Sequence, residues 1–148
     1  MSTYTQILYQ IVFCTKNREQ TLTNDHREEL YRYIWGILQN KNCYLYQIGG
    51  IADHLHIITH LHPSISLASL VKDIKLASSD HIKSVQLFRQ FGGWQDGYGA
   101  FTYSFRDKDN LIEYVKTQEE RHMTKTSRGE LIELLHEHEN ESYEKYLL

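Results

Sequence analysis

Two histidines separated by one residue, His54 and His56, are the first candidates for chemistry in this sequence of 148 residues. They fall in the apolar run DHLHIITHL, which is typical of a β-strand, and side chains two apart on a strand share a face. Two imidazoles on one face of a sheet can bind one metal ion. Because the chain has nine histidines, a structural pair is the alternative, and we interpret His60 and His62 as structural or surface residues. Asp53 could orient an imidazole or simply begin the strand.

A tyrosine and a glutamine one helical turn apart form the second candidate group. The spacing of apolar residues predicts a helix over about 108–122, with Tyr114, Gln118 and His122 on the face that turns inward. A phenol oxygen can act as a nucleophile, and an amide oxygen can bind a hard metal ion. A core tyrosine beside a hydrogen-bonded glutamine explains the same spacing, so both interpretations stay open here.

Basic side chains on two predicted helices could contact phosphate groups. Lys72, Lys75 and Lys83 share a face of the helix that follows Ser66, and Lys116 and Arg121 add charge near the later helix. Lysine stripes also occur on ordinary solvated helix faces, so this pattern permits nucleic-acid binding without requiring it.

The charge of the chain is unevenly distributed. The net charge is −3, but residues 130–148 contain six Glu and one Lys, whereas residues 1–129 contain fifteen Lys or Arg against thirteen Asp or Glu. A mildly basic body is therefore followed by an acidic tail, which we expect to lie away from any nucleic acid. The hydrophobic content of 41% with a single proline excludes a disordered or collagen-like chain.

The sequence also indicates a compartment. Apolar runs are far shorter than the ~20 residues of a membrane-spanning helix, and the first residues do not resemble a signal peptide. Two cysteines, Cys14 and Cys43, cannot build a disulfide framework. We therefore expect a cytoplasmic protein without a membrane partner.

The elements that must position these residues follow the order β–α–β–β–α–β and then two helices. This order predicts an α+β fold, the ferredoxin-like or RRM-like split βαβ sandwich with an antiparallel sheet, whose far face the two late helices could cover. We expect a single domain over 1–148, with a core over about 3–106. The predicted elements are a strand over 4–14, a helix over 24–41, a hairpin with its turn near Gly49–Gly50, a helix after Ser66, a strand over 97–105, the helix over 108–122, and a C-terminal helix with the acidic tail over 127–148.

Four segments together resemble a known family. DHLHIITHL, LVKDIKLASSDHIK, WQDGYGAFTYS and IEYVKTQEERH stand in an order and spacing similar to those of the single-tyrosine HUH transposases of bacterial insertion sequences and the related REP-associated tyrosine transposases. The resemblance extends from about Tyr4 to Leu148.

The resemblance implies a reaction and roles for individual residues. His54, His56 and Gln118 would bind a divalent cation, magnesium or manganese, and Tyr114 would be the nucleophile. The substrate would be single-stranded DNA, often held through hairpins at the ends of the element, and the reaction would pass through a 5′-phosphotyrosine link. The protein would be a homodimer, in which the tyrosine helix can complete the partner's site.

Two other functions are compatible with the same residues. The predicted core also occurs in non-catalytic nucleic-acid-binding modules, although the aromatic motif of RNA-binding sheets is missing here. A metal-dependent hydrolase that uses water as its nucleophile would need the histidine pair but not the phenol of Tyr114.

Overall fold

A computed structural model of the chain describes residues 2–118 and 127–137. Within these residues the strands form one antiparallel sheet in the order β2–β3–β1–β4. This order is that of the split βαβ sandwich, so the predicted α+β fold is confirmed. The elements are β1 (Leu8–Cys14), α1 (Arg27–Asn40), β2 (Tyr44–Ile51), β3 (His54–His60), α2 (Leu67–Val85), β4 (Gly99–Tyr103), α3 (Lys108–Lys116) and α4 (Ser127–Glu137).

The two faces of the sheet carry different cores, because side chains alternate along each strand. Residues such as Phe13 and Leu55 face α1 and α2 and form the larger core with Leu30 and Ile74. The α2 helix begins at the predicted cap, where the Ser66 hydroxyl accepts a hydrogen bond from the Ser69 amide at 3.1 Å.

The opposite face of the sheet is covered by the two late helices, as predicted. Leu111 and Val115 of α3 pack against Ile58 on β3. Leu134 and Leu135 of α4 pack against β1 and β4, in a cluster that contains Val12, Cys14 and Phe101. The candidate site lies between this face and these two helices.

The hairpin turn is not at Gly49–Gly50, as the sequence analysis expected. Strand β2 continues through both glycines to Ile51, and the turn is at residues 52–53. A Cβ atom on Gly49 would lie 2.5 Å from the carbonyl oxygen of Val115, and one on Gly50 would lie 2.2 Å from the carbonyl oxygen of His54. The glycines therefore permit close approach of α3 to β2 and of the hairpin strands to each other, rather than a turn.

We expect Gly49→Ala to destabilise the fold by about 1–3 kcal/mol, because the added methyl group forces α3 away from the sheet. Gly36→Ala is the matched control, since Gly36 lies within α1 and nothing would contact its Cβ within 4 Å. That control should raise the stability by about 0.5–1 kcal/mol. Urea unfolding followed by circular dichroism measures both changes, and an unchanged Gly49→Ala variant would contradict the packing role.

Other predicted boundaries differ from the structure. Strand β1 begins at Leu8 rather than at Tyr4, and α1 begins at Arg27, after a 3-10 turn at Asn24–His26.

The α3 helix ends at Lys116, Thr117 forms a turn, and Gln118 is helical again. The rest of the helix predicted to residue 122 lies outside the described residues. Strand β4 ends at Tyr103, so Phe105 lies beyond it in a short 3-10 turn. Among the described helices, none combines the length and the apolar character that crossing a bilayer requires.

Candidate functional site

The two histidines of the HxH motif lie side by side on the sheet face that α3 and α4 cover. His54 is 1% exposed and His56 is fully buried, with ring centroids 5.0 Å apart. Strand β3 lies between β1 and β2, which holds its backbone on both sides. Because burying polar groups is costly without partners, the contacts of each imidazole indicate what the site is built to do.

One nitrogen of each ring binds a side-chain acceptor. Nδ1 of His54 lies 2.7 Å from Oδ1 of Asp53, and Nδ1 of His56 lies 2.7 Å from Oε1 of Gln10. Nε2 of Gln10 in turn donates to the hydroxyl of Tyr103 at 3.0 Å. These acceptors favour a proton on Nδ1 of each ring, which directs the Nε2 atoms toward a common point, the arrangement that metal-binding histidines require.

Two oxygen-bearing side chains meet the Nε2 atoms. Oε1 of Gln118 lies 3.3 Å from Nε2 of His54. The Glu130 carboxylate contacts Nε2 of both histidines, at 3.4 Å for His54 and closer for His56. Both oxygen donors come from buried residues.

Electrostatics at the site favour positive charge. Burial lowers the pKa of His54, but hydrogen bonds and charge interactions with Asp53 and Glu130 outweigh this effect and raise the pKa to about 9. An environment that stabilises an imidazolium so strongly also suits a divalent cation.

The donor set fits a metal ion. The ligand atoms of His54, His56 and Glu130 all lie within 4.8 Å of one another. Ligands bound about 2.0–2.2 Å from one ion can lie up to roughly 4.4 Å apart, so only small adjustments are needed. Imidazole nitrogen with carboxylate and amide oxygen is a donor set found for divalent cations.

Tyr114 lies beside the histidine pair of its own chain. Its ring packs edge to face on that of His56, with centroids 5.6 Å apart and planes at 79°. It borders a cavity of about 330 Å³ that Gln10, Tyr103 and Leu134 also line. Nε2 of Gln118 donates to the carbonyl oxygen of Tyr114 at 3.2 Å, which leaves Oε1 of Gln118 directed at His54.

The candidate DNA-binding residues are spread over the molecule. Lys72 and Lys83 are exposed on α2, on the layer opposite the histidine pair. Lys75 is half-buried, and its Nζ donates to the carbonyl oxygens of Gln95 and Gly97.

The remaining basic and polar candidates belong to α3 and the segment after it. Lys116 is exposed at the end of α3 and borders a cavity of about 380 Å³ that Arg27 also lines. Arg121 and His122 lie outside the described residues, so their positions relative to the site are not given.

Sequence reasoning missed two residues of the site, Gln10 and Glu130. Gln10 stands alone in an apolar strand, and the inward alternation of β1 was the only signal for it. The sequence analysis counts Glu130 with an acidic tail that is expected to lie away from nucleic acid, whereas the structure places Glu130 against the two histidines. Its spacing of four residues from the buried Leu134 was a signal that it shares the inward face of α4.

Comparisons with known proteins indicate the family of the chain. The family described as "Transposase IS200 like" matches residues 3–118. The transposase for insertion sequence element IS200 of Salmonella typhimurium is 26% identical over 120 residues, which is 74% of this chain and 75% of that protein. The ISDra2 transposase TnpA of Deinococcus radiodurans is 22% identical over 121 residues, covering 78% of this chain and 86% of that protein.

Solved structures support the same fold. A crystal structure assigned to a transposase of Deinococcus radiodurans R1 has a TM-score of 0.63 at 21% identity, covering 80% of this chain and 95% of that one. A REP-associated tyrosine transposase bound to a REP hairpin has a TM-score of 0.60 at 16% identity, covering 82% and 74%. Because the family match spans most of the sequence and includes His54, His56, Tyr114 and Gln118, the chain belongs to the family of IS200-like transposases.

Proposed function

We propose that this transposase cuts and rejoins single-stranded DNA through a covalent 5′-phosphotyrosine intermediate, with Tyr114 as the nucleophile. The observation that carries the proposal is the 5.6 Å contact between the rings of Tyr114 and His56. It brings a phenol to a buried cluster of divalent-cation ligands within one chain. A nucleic-acid-binding module would have no need of such a cluster.

The metal in this proposal is magnesium or manganese, held by His54, His56 and Gln118. When bound, the ion supplies Lewis-acid chemistry, because it polarises the scissile phosphate and offsets the charge that develops during attack. Asp53 and Gln10 position the two imidazoles through their Nδ1 atoms, so that the Nε2 atoms face the place where a cation would bind.

The Tyr114 phenol makes the new bond. Its oxygen attacks the phosphorus atom, the phenolic proton leaves, and the bond from phosphorus to the 3′ oxygen breaks. That oxygen takes up a proton and is released as a free 3′-OH, while the 5′ phosphate stays on the tyrosine. A different 3′-OH can attack the phosphotyrosine and restore a phosphodiester, so rejoining needs no external energy source.

The DNA partner follows from the same chemistry. Single strands suit the site because their bases unstack readily, and the relative bound to a REP hairpin favours hairpin ends as the recognised feature. We propose that Lys72, Lys83 and Lys116, which are exposed, contact phosphates along the strand, and that the protein works in the cytoplasm as a homodimer.

A denaturing gel tests the proposal. The full chain is incubated with labelled single strands that carry the hairpins flanking its coding sequence, with Mn²⁺ or with a chelator. We expect a covalent protein–DNA species with Mn²⁺ and none with the chelator. Metal-dependent cleavage without a covalent species would instead support a hydrolase that uses water, and tight binding without cleavage would support a non-catalytic module.

A further inference from the structure

We infer that Glu130 of α4 is a fourth protein ligand of the metal site, and that its carboxylate supplies the one negatively charged donor. This inference rests on the proposed function, because it concerns the cation that His54, His56 and Gln118 would bind. It goes beyond the family match, which ends at residue 118.

The contacts of Glu130 support a ligand role. Its side chain is 3% exposed, and Oε1 contacts Nε2 of both histidines, the atoms that would face a cation. A carboxylate is rarely buried this deeply unless it is paired or binds a metal. Glu130 therefore lies where the Nε2 atoms of the two histidines converge.

Packing of α4 directs Glu130 to this point. Leu134 lies one helical turn after Glu130, and both Leu134 and Leu135 are buried against Val12 and Phe101 of the sheet. Residues four apart share a helix face, so burial of the leucines turns Glu130 toward the histidines. The α4 helix is thus part of the site rather than the start of a solvated tail.

A carboxylate changes which cations the site favours. Two imidazoles and an amide form a neutral set, whereas Mg²⁺ prefers oxygen ligands that include one or two carboxylates. With Glu130 the donors become two nitrogens and two oxygens with one negative charge. We therefore expect the fourth ligand to raise affinity for Mg²⁺ and Mn²⁺, while a site of about six positions still has room for phosphate oxygens.

Mn²⁺ binding without DNA tests the inference independently of activity. In the full chain, the electron paramagnetic resonance signal of free Mn²⁺ disappears on binding and gives the Kd. We expect Glu130→Gln, which keeps the size and removes the charge, to weaken binding roughly 10-fold or more. Glu133→Gln is the matched control, because Glu133 is exposed on the same helix, and its Kd should equal that of the wild type.

The outcomes separate this inference from the proposed function. A folded Glu130→Gln protein that binds Mn²⁺ as the wild type does would overturn the ligand role, even if metal-dependent adduct formation persists. Loss of stability with an unchanged Kd would overturn it too, because Glu130 would then only pair with the histidines. If Glu130→Gln does not fold, Glu130→Asp withdraws the carboxylate by one methylene, and a Kd unchanged by that variant would equally contradict the inference.

Discussion

Tyr114→Phe should reduce the yield of the covalent adduct with single-stranded DNA roughly 10³-fold or more, while DNA and Mn²⁺ binding persist. The substitution removes only the phenol oxygen, and loss of an essential nucleophile commonly costs this much or more. The ring that packs on His56 is retained, so the histidine cluster and the α3 contacts should be unchanged. The adduct is measured on a denaturing gel with labelled DNA, and binding is measured by a mobility shift without denaturant.

Tyr98→Phe is the matched control for this experiment. Tyr98 is 37% exposed and lines a groove beside α2, on the layer opposite the histidine pair. Removing the hydroxyl of Tyr98 should leave the adduct yield unchanged. An adduct formed by Tyr114→Phe would show that another residue is the nucleophile, and normal metal-dependent cleavage by that variant without an adduct would indicate attack by water.

His56→Ala should remove both Mn²⁺ binding and metal-dependent cleavage, with each reduced by roughly 10²-fold or more. The imidazole is fully buried and contacts the Glu130 carboxylate through Nε2, so the substitution removes one of the two imidazole donors of the proposed site. A ligand at the centre of a site affects affinity at least as strongly as the residues that orient it. Titration with Mn²⁺ and the adduct assay measure the two losses separately.

His62→Ala controls for the loss of an imidazole elsewhere. His62 lies in the loop after β3, where its Nδ1 is 2.7 Å from the hydroxyl of Ser64, and we expect wild-type binding and cleavage. Circular dichroism must show that the His56→Ala protein remains folded, because the substitution leaves a cavity in the interior that lowers stability. Unchanged metal-dependent cleavage in a folded His56→Ala protein would contradict the metal site.

Local rules account for the parts of the structure that the sequence predicts well. The period of two along a strand is enough to place His54 and His56 on one face. The largely apolar runs of β1 and β3 fit a sheet that is covered on both faces. The order of strands and helices leaves few topologies, of which the split βαβ sandwich is the observed one.

Contacts between distant segments account for what sequence reasoning missed. Gly49 and Gly50 are typical of a turn, but the carbonyl oxygen of Val115 on α3 explains the absence of a side chain at Gly49. Glu130 lies in a segment whose acidic composition is typical of a solvated tail. The packing of α4 against the sheet is what brings Glu130 to the histidines. No local pattern reveals the contact at Gly49. The spacing from Glu130 to Leu134 indicates a shared helix face, but not what that face contacts.

Charge patterns were the least informative signal. Lys72 and Lys75 share a helix, but the structure exposes one and half-buries the other against backbone carbonyls. The spacing of lysines along a helix does not reveal which of them will contact a neighbouring loop. That depends on how the loop of residues 94–98 packs against α2.

Peptide mass mapping of the protein–DNA adduct tests the central claim most directly. The wild-type protein is allowed to react with labelled single-stranded DNA and Mn²⁺, digested with protease and nuclease, and searched for tyrosine peptides that carry a nucleotide phosphate. Since the chain has eleven tyrosines, the result discriminates well. We predict the modification on Tyr114 alone, and a phosphate on any other tyrosine, or metal-dependent cleavage that yields no modified peptide, would contradict the account.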